Sequence, residues 1–277
     1  MVADGTVVVT GASSGIGEAT ARALALAGFR VLAGVRNDAD AERVAGLHER
    51  VEAVRVDVAD EGSVRELGAQ VGDAPLAGLV NNAGISISGP LEFVPLEEWR
   101  RQLDVNVIGQ VAVTQALLPA LRRARGRIVN IGSVGGRVAV PLLSPYNASK
   151  FALEGITDSL RRELRPLGVH VSIVEPGAIA TRIWEKGAAS ADAMLAGASE
   201  AEEVYGPTIA AVRAQAQQRT ERAIAPAEVA KAVEHALTAP RPRTRYVVGR
   251  DARQRIRIAG LLSDRAFDAL VARMLKI

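Results

Sequence analysis

The chain has 277 residues, 48% of them hydrophobic, enough to fill one large α/β core or two small ones. It has no cysteine and its three histidines, His48, His170 and His235, lie far apart, so disulfides and thiolate metal sites are excluded and no metal is expected. The net charge of +3 is uneven, because residues 241–277 alone hold ten Arg/Lys and three Asp. With 3% aromatic residues and no recognition motif, that basic region reads as a solvated tail, and no nucleic-acid partner is expected. Met1-Val2-Ala3-Asp4-Gly5 carries no charged-then-apolar export signal, and no apolar run approaches the ~18 residues of a membrane span, which predicts a cytoplasmic protein.

Val7-Val8-Val9 is a β-branched run ending at a glycine-rich turn, and an alanine-rich helical stretch follows from about Glu18 to Ala27. After Gly28 a second strand, Val31 to Val35, completes a unit of the parallel type, which needs a crossover helix. Further buried strands are predicted at Ala53–Val56, Gly78–Val80, Arg127–Ile131, Val169–Val174 and Tyr246–Val248, with helix-like segments between them. The long helices are predicted over Leu96–Arg123 and Tyr146–Arg165, the latter stopped by Pro166 and Gly168. This alternation predicts an α/β fold: a single domain over 1–277 around one doubly wound parallel sheet, with about seven strands in the order 3-2-1-4-5-6-7 and helices on both faces. Residues 182–225 form an alanine- and charge-rich insertion, which reads either as a lid over a ligand or as a solvated pair of surface helices.

The first strand runs into Thr10-Gly11-Ala12-Ser13-Ser14-Gly15-Ile16-Gly17 and then directly into a helix. Gly11 permits a tight turn, Gly15 lets backbone N–H groups approach a pyrophosphate, and Gly17 lets helix and strand pack closely. Gly11, Ser13, Ser14, Gly15, Ile16 and Gly17 are therefore candidate dinucleotide ligands. Such sites usually place a carboxylate about 20 residues after the glycines, on the ribose hydroxyls of NAD. Here Val35-Arg36 stands in that place. An arginine can pair with a 2′-phosphate and stack on adenine, so NADP(H) is predicted over NAD(H). The alternative is that Arg36 is a solvated turn residue and Asp38 or Asp40 faces the ribose.

Tyr146-Asn147-Ala148-Ser149-Lys150 opens a helix, which puts Tyr146 and Lys150 on one face at i and i+4. A free tyrosine, with a pKa near ~10, exchanges protons poorly at neutral pH, and a nearby ammonium favours its phenolate.

With these residues in view, the chain resembles the short-chain dehydrogenase/reductase family, of the kind with a Tyr-x-x-x-Lys signature. The resemblance rests on the glycine turn, Asp57-Val58, Asn81-Asn82-Ala83-Gly84, Asn106, Ser133 thirteen residues before Tyr146, and Pro176-Gly177 with Thr181 beyond. It implies a Rossmann-type sheet and a catalytic set of Asn106, Ser133, Tyr146 and Lys150. Ser133 would hold the substrate oxygen, and Asn106 would hold a water linking Lys150 to solvent. Asp57 would bind the adenine amino group beside Val58, while Asn82, Ala83 and Gly84 would border the adenosine ribose. Pro176, Gly177, Ile179 and Thr181 would cradle the nicotinamide, with Tyr146 and Lys150 completing the cofactor contacts. Hydride transfer would then interconvert a secondary alcohol and a ketone or aldehyde, with Tyr146 as acid and base. The resemblance also implies a homodimer or homotetramer built on the two long helices. The rival is a non-catalytic, NADP-sensing regulatory protein on the same fold.

Between Ser133 and Tyr146, Val138, Ala139, Val140, Pro141, Leu142 and Leu143 form a mainly apolar loop. With Trp184, Met194 and Leu195 in the insertion, this predicts a hydrophobic pocket, in which Val138, Val140, Leu142 and Trp184 are the candidate contacts, unless these residues are ordinary core. The run Ala148 to Gly155 and the position of Arg36 are similar to the 17β-hydroxysteroid and retinol dehydrogenase branch, which implies a steroid-, retinoid- or lipid-like substrate. Residues 250–277 form a basic amphipathic tail, with Ile258, Leu261, Leu262, Phe267, Leu270, Val271, Met274 and Leu275 roughly at helical spacing. Docking on its own domain or on a partner subunit is expected first, and contact with a membrane surface is the alternative.

Overall fold

The β-branched runs assemble into one parallel sheet in the order β3-β2-β1-β4-β5-β6-β7, as the sequence predicted. The structure is a computed structural model that describes residues 5–196 and 199–276. Met1 to Asp4, two residues of the insertion and Ile277 lie outside the described residues. The strands are β1 (Thr6–Val9), β2 (Arg30–Val35), β3 (Val51–Arg55), β4 (Leu76–Asn81), β5 (Arg127–Ile131), β6 (His170–Pro176) and β7 (Arg245–Val248). Period-two alternation explains their near-continuous hydrophobicity. Val7 and Val9 join the core on one face and Val8 the core on the other; Val31 and Ala33 are divided from Leu32 in the same way.

Helices α1 (Gly15–Leu26) and α9 (Pro226–Thr238) pack on each other over the first face, beside α2 (Asp38–Ala45). The second face is covered by α3 (Glu61–Val71), α5 (Gly109–Ala124) and α6 (Ser144–Leu164). The strand order reverses between β1 and β4, and this opens a crevice at their carboxyl ends. The glycine turn after β1 lies in that crevice.

The single helix predicted over Leu96–Arg123 is interrupted. Helix α4 (Leu96–Leu103) passes into α5 through one wide turn, Asp104–Ile108, in which the Gly109 N–H reaches back to the Asp104 carbonyl. Two contacts account for it. Gly109 lies so close to the Val58 carbonyl that a Cβ there would stand 2.6 Å away. The Asn106 amide is drawn inward onto the main chain of Ile85, a task no helical periodicity announces.

The insertion forms two helices, α7 (Ile183–Leu195) and α8 (Ser199–Glu221). The predicted tail is two helices as well, α10 (Arg250–Ala259) and α11 (Asp264–Leu275). They are separated at Gly260 to Ser263, where the Ser263 hydroxyl caps α11 through the Ala266 N–H. No helix among the described residues is long and apolar enough to cross a membrane.

Arg245 on the edge strand β7 is tied inward. Its guanidinium binds Glu154 and, at 2.9 Å, Asp158 on α6, and at 2.9 Å Glu175 on β6, whose carboxylate also takes Arg137 at 3.2 Å. This polar knot fastens the last strand to the helix that carries Tyr146.

Candidate active site

The glycine turn is held open by its neighbours. The Thr10 hydroxyl accepts from the N–H groups of Asn82 and Ala83, both at 3.0 Å, while the Asn82 amide donates to the Thr10 carbonyl at 2.9 Å and the Gly11 carbonyl at 3.0 Å. Gly11 and Gly15 take left-handed backbone conformations, with φ of 63° and 57°. A Cβ on Gly11 would sit 2.7 Å from Ala83 Cα, and one on Gly15 would sit 2.9 Å from the Thr181 methyl group. Ser14 is extended and makes no side-chain cap, so Ser13, Ser14 and Ile16 surround uncapped N–H groups at the positive end of α1. This cradle, with glycine at its closest approaches and uncapped N–H donors at the helix start, fits the pyrophosphate of a nicotinamide dinucleotide.

Gly17 gives the cradle a direct test. Alanine is favoured over glycine inside a helix by about 1 kcal/mol. Here its Cβ would stand 2.2 Å from the Gly11 carbonyl oxygen, a main-chain atom that can move only with the turn. Gly17→Ala is expected to weaken NADPH binding by about tenfold or more, read by titration of NADPH fluorescence. Unchanged affinity would show that the turn does not contact the dinucleotide.

Around the cradle the predicted residues divide. Arg36 is exposed at the end of β2 and has no hydrogen-bond or ion-pair partner among the described residues. Both acidic alternatives are engaged: Asp38 pairs with Arg55, and Asp40 takes the Asn37 amide and lies 3.5 Å from Arg43. Asp57 shapes a turn, accepting from the Ala59 N–H at 3.0 Å, while Val58 is buried behind Gly109. Gly84 lies over Asn106. Asn81, by contrast, ties strands together, donating to Asn130 on β5 and Thr114 on α5. Two residues absent from the predicted set also belong here: Thr10, the clamp described above, and Arg43, which binds the Ser13 carbonyl and pairs with Glu18 at 2.6 Å.

Tyr146 and Lys150 share one face of α6, and both are buried. Lys150 Nζ donates to the Ile131 carbonyl at 2.8 Å and lies 5.9 Å from the centre of the Tyr146 ring. Ser133, just beyond β5, accepts from the Gly135 N–H at 3.0 Å and lies beside Tyr146, both side chains bordering Gly135. Asn106 does not offer a free side chain. Its Oδ1 accepts from the Ile85 N–H at 2.8 Å, and its Nδ2 donates to the Ile85 carbonyl and to the Ser149 hydroxyl, which in turn donates to the Tyr146 carbonyl. Asn106 thus anchors the first turn of α6.

Burial pushes the Tyr146 phenol above its ordinary value, and the Ser133 hydroxyl pulls it back. Burial brings Lys150 down to about 8, against the attraction of Glu154. At neutral pH the pair therefore stands as phenol beside ammonium.

The tyrosine opens into a cleft of about 580 Å³ lined by Ser133, Val138, Val140, Leu142 and Trp184. The Trp184 ring meets Tyr146 edge to face, with centroids 5.3 Å apart. Leu195 of α7 and Ile258, Phe267, Leu270 and Val271 of the tail complete the walls, so the tail docks on its own domain. Leu261 instead faces solvent. Pro176 ends β6, the Ala178 N–H is taken by Asp251 at 3.0 Å, and Ile179 packs into the core. Thr181, against Gly15, brings this segment to the cradle.

Known proteins agree with this architecture. A family model described as short chain dehydrogenase matches residues 5–192, and the chain belongs to the short-chain dehydrogenase family. Retinol dehydrogenase 5 of Mus musculus is 39% identical over 97% of this chain and 88% of its own length. A 3-amino-tetrahydro-pyrrolizinone reductase of Xenorhabdus hominickii is 47% identical, over 65% of this chain and 64% of that protein. Among solved structures, a short-chain dehydrogenase from Burkholderia cenocepacia in complex with NADP superposes with a TM-score of 0.73 at 30% identity, covering 99% of each chain. One from Burkholderia phymatum in complex with NAD gives 0.80 at 25% identity over 94% of each.

Proposed function

We propose that this protein is an NADP-preferring oxidoreductase that interconverts a hydrophobic secondary alcohol and its ketone, or a primary alcohol and its aldehyde. One observation carries the reading: Tyr146, flanked by Ser133 and Lys150, lies at the apolar cleft, with Thr181 joining that side of the molecule to the glycine cradle. The bound nicotinamide supplies the hydride donor or acceptor. Ser133 orients the substrate oxygen and stabilises the charge that grows on it. In reduction Tyr146 gives its proton to that oxygen, and in oxidation its phenolate takes the hydroxyl proton. Lys150 holds positive charge beside the ring and so favours the phenolate. The Asn106 amide is engaged with Ile85 and Ser149, so its side chain holds the start of α6 in place rather than standing free as a proton relay. The names of the relatives, a retinol dehydrogenase and a pyrrolizinone reductase, support a mainly apolar substrate.

Arg36 supports NADP, since it is unpaired at the end of β2 while Asp38 and Asp40 are engaged. A screen of hydrophobic ketones with NADPH and NADH, followed at the nicotinamide absorbance, tests both claims. The expected kcat/KM ratio favours NADPH, and Arg36→Asp should lower it by about tenfold or more through loss of the phosphate pair. A wild-type preference for NADH would overturn the cofactor assignment. Silence with every ketone and alcohol, despite NADPH binding, would favour the non-catalytic sensor.

A further inference from the structure

The cleft is mainly apolar, yet one wall of it carries arginines that the reaction does not use. Arg219, near the end of α8, and Arg255, on α10, both line it together with Ser133 and Tyr146. Neither makes an ion pair among the described residues. Arg219 hydrogen-bonds the neutral carbonyl of Gln215, and Arg255 has no hydrogen-bond or ion-pair partner among the described residues. The nearby carboxylate, Asp251, accepts from the Ala178 N–H at Oδ2, and among the described residues it forms an ion pair with neither guanidinium. Arg213, also in the wall, is already paired with Asp192.

Buried or half-buried cations are normally paired, because leaving water without a counter-charge is costly. Burial, then Arg255, bring the Arg219 guanidinium down to about 10 despite the pull of Asp251, and burial lowers Arg255 in the same way. Guanidinium does not give up its proton at physiological pH, so the favourable remedy is an anion placed between the two side chains. The cofactor phosphates have their own seat: the cradle residues Gly11, Gly15 and Gly17 are not among those lining this cleft.

We propose that Arg219 and Arg255 form an anion-binding subsite, and that the substrate is an apolar ketone or alcohol ending in a carboxylate or phosphate. The proposal rests on the oxidoreductase reading of Tyr146 and adds the charge of the substrate's far end. The apolar walls take its hydrocarbon body, and the arginine pair selects against neutral analogues, which would leave two desolvated cations unpaired.

The first arm needs no turnover. Decanoate and decanol are titrated into the protein with NADP bound, and quenching of tryptophan fluorescence is followed, Trp184 being in the cleft. Decanoate should bind about tenfold or more tighter, a ratio that falls to about one in the double variant Arg219→Met, Arg255→Met. Methionine keeps an apolar stem, and removing two unpaired cations should not unfold the wall. The second arm compares kcat/KM for methyl-ketone acids, oxohexanoate to oxododecanoate, with their methyl esters in both proteins. Acids should exceed esters by a similar factor in the wild type and lose that advantage in the variant. Equal binding of decanoate and decanol to the wild type overturns the subsite even if the variant does not fold. An acid preference that survives in the variant overturns it too, as does a variant that loses NADPH affinity while keeping that preference. Selective decanoate binding with no turnover of any acid or ester upholds the subsite and refutes the oxidoreductase reading, so the two failures are distinct.

Discussion

Tyr146→Phe is expected to lower kcat by about 10²- to 10⁴-fold, the usual contribution of a positioned acid or base, while leaving the NADPH dissociation constant within about twofold. The exchange removes one hydroxyl and keeps the ring that meets Trp184 edge to face, so the cleft wall survives. The lost step is the proton transfer to the substrate oxygen. Ser133 remains, but an ordinary hydroxyl is a far weaker acid than a phenol. Burial keeps the Tyr146 phenol protonated at neutral pH, the state that ketone reduction requires. Wild-type reduction should therefore decline only on the alkaline side, as the phenol and, through about 8, the Lys150 ammonium lose their protons. The residual rate of the variant should lose the tyrosine part of that decline. Steady-state rates across pH, with NADPH binding measured separately, check both statements. A variant that retained more than about a tenth of wild-type turnover would remove Tyr146 from the chemistry.

The difference between what could and could not be read in the sequence follows the range of the interactions. Val7-Val8-Val9 and Val31 to Val35 were legible because a strand buried on both faces needs only its own residues to declare itself. Tyr146 and Lys150 were legible for a related reason: four residues apart on one helix, they must face the same way. Asn106 was found as a residue but not as an arrangement. Its bonds run to Ile85 and Ser149, 21 and 43 residues away, and the wide turn that aims it exists to satisfy them. Asn82 was placed at the ribose, yet its amide clamps the Thr10 and Gly11 carbonyls, a contact across 72 and 71 residues that only the folded sheet creates. The tail was predicted from its apolar spacing, and that spacing does face the cleft, but Gly260 and the Ser263 cap divide it in two. Arg219 and Arg255 gave no signal. In a region already rich in arginine, neither differs from a solvated charge until α8 and α10 meet over the cleft.

Arg245→Met should be the most damaging change outside the cleft, because it removes the shared partner of Glu154, Asp158 and Glu175. The Glu175 side chain is fully buried, and Glu154 Oε1 and Glu175 Oε2 have no hydrogen-bond partner among the described residues, so little is in place to compensate. Breaking a buried pair by removing one partner typically costs about 3–5 kcal/mol. For a chain of this size that lowers Tm by about 5–15 °C. The loss should depend on pH with a definite sign. Burial and the neighbouring Glu175 hold the Glu154 carboxyl up at about 7, while Arg245 pulls it down. Because the folded state keeps this proton more tightly than the unfolded chain, the contribution is fully present below about 4.5 and lost as pH rises through about 7. Without Arg245 the carboxyl rises further and the penalty for ionising it grows. The gap in Tm between wild type and variant should therefore be wider near pH ~8 than near pH ~5.5, and Glu154→Gln in the variant should close part of it at the higher pH. Calorimetry of the three proteins measures this, and a small gap that ignores pH would mean the knot is ornamental. The consequence reaches catalysis through α6, where Glu154 lies one turn beyond Lys150 and its charge opposes the loss of the ammonium. A neutral Glu154 withdraws that support, so the same variant should show its alkaline loss of turnover beginning at lower pH.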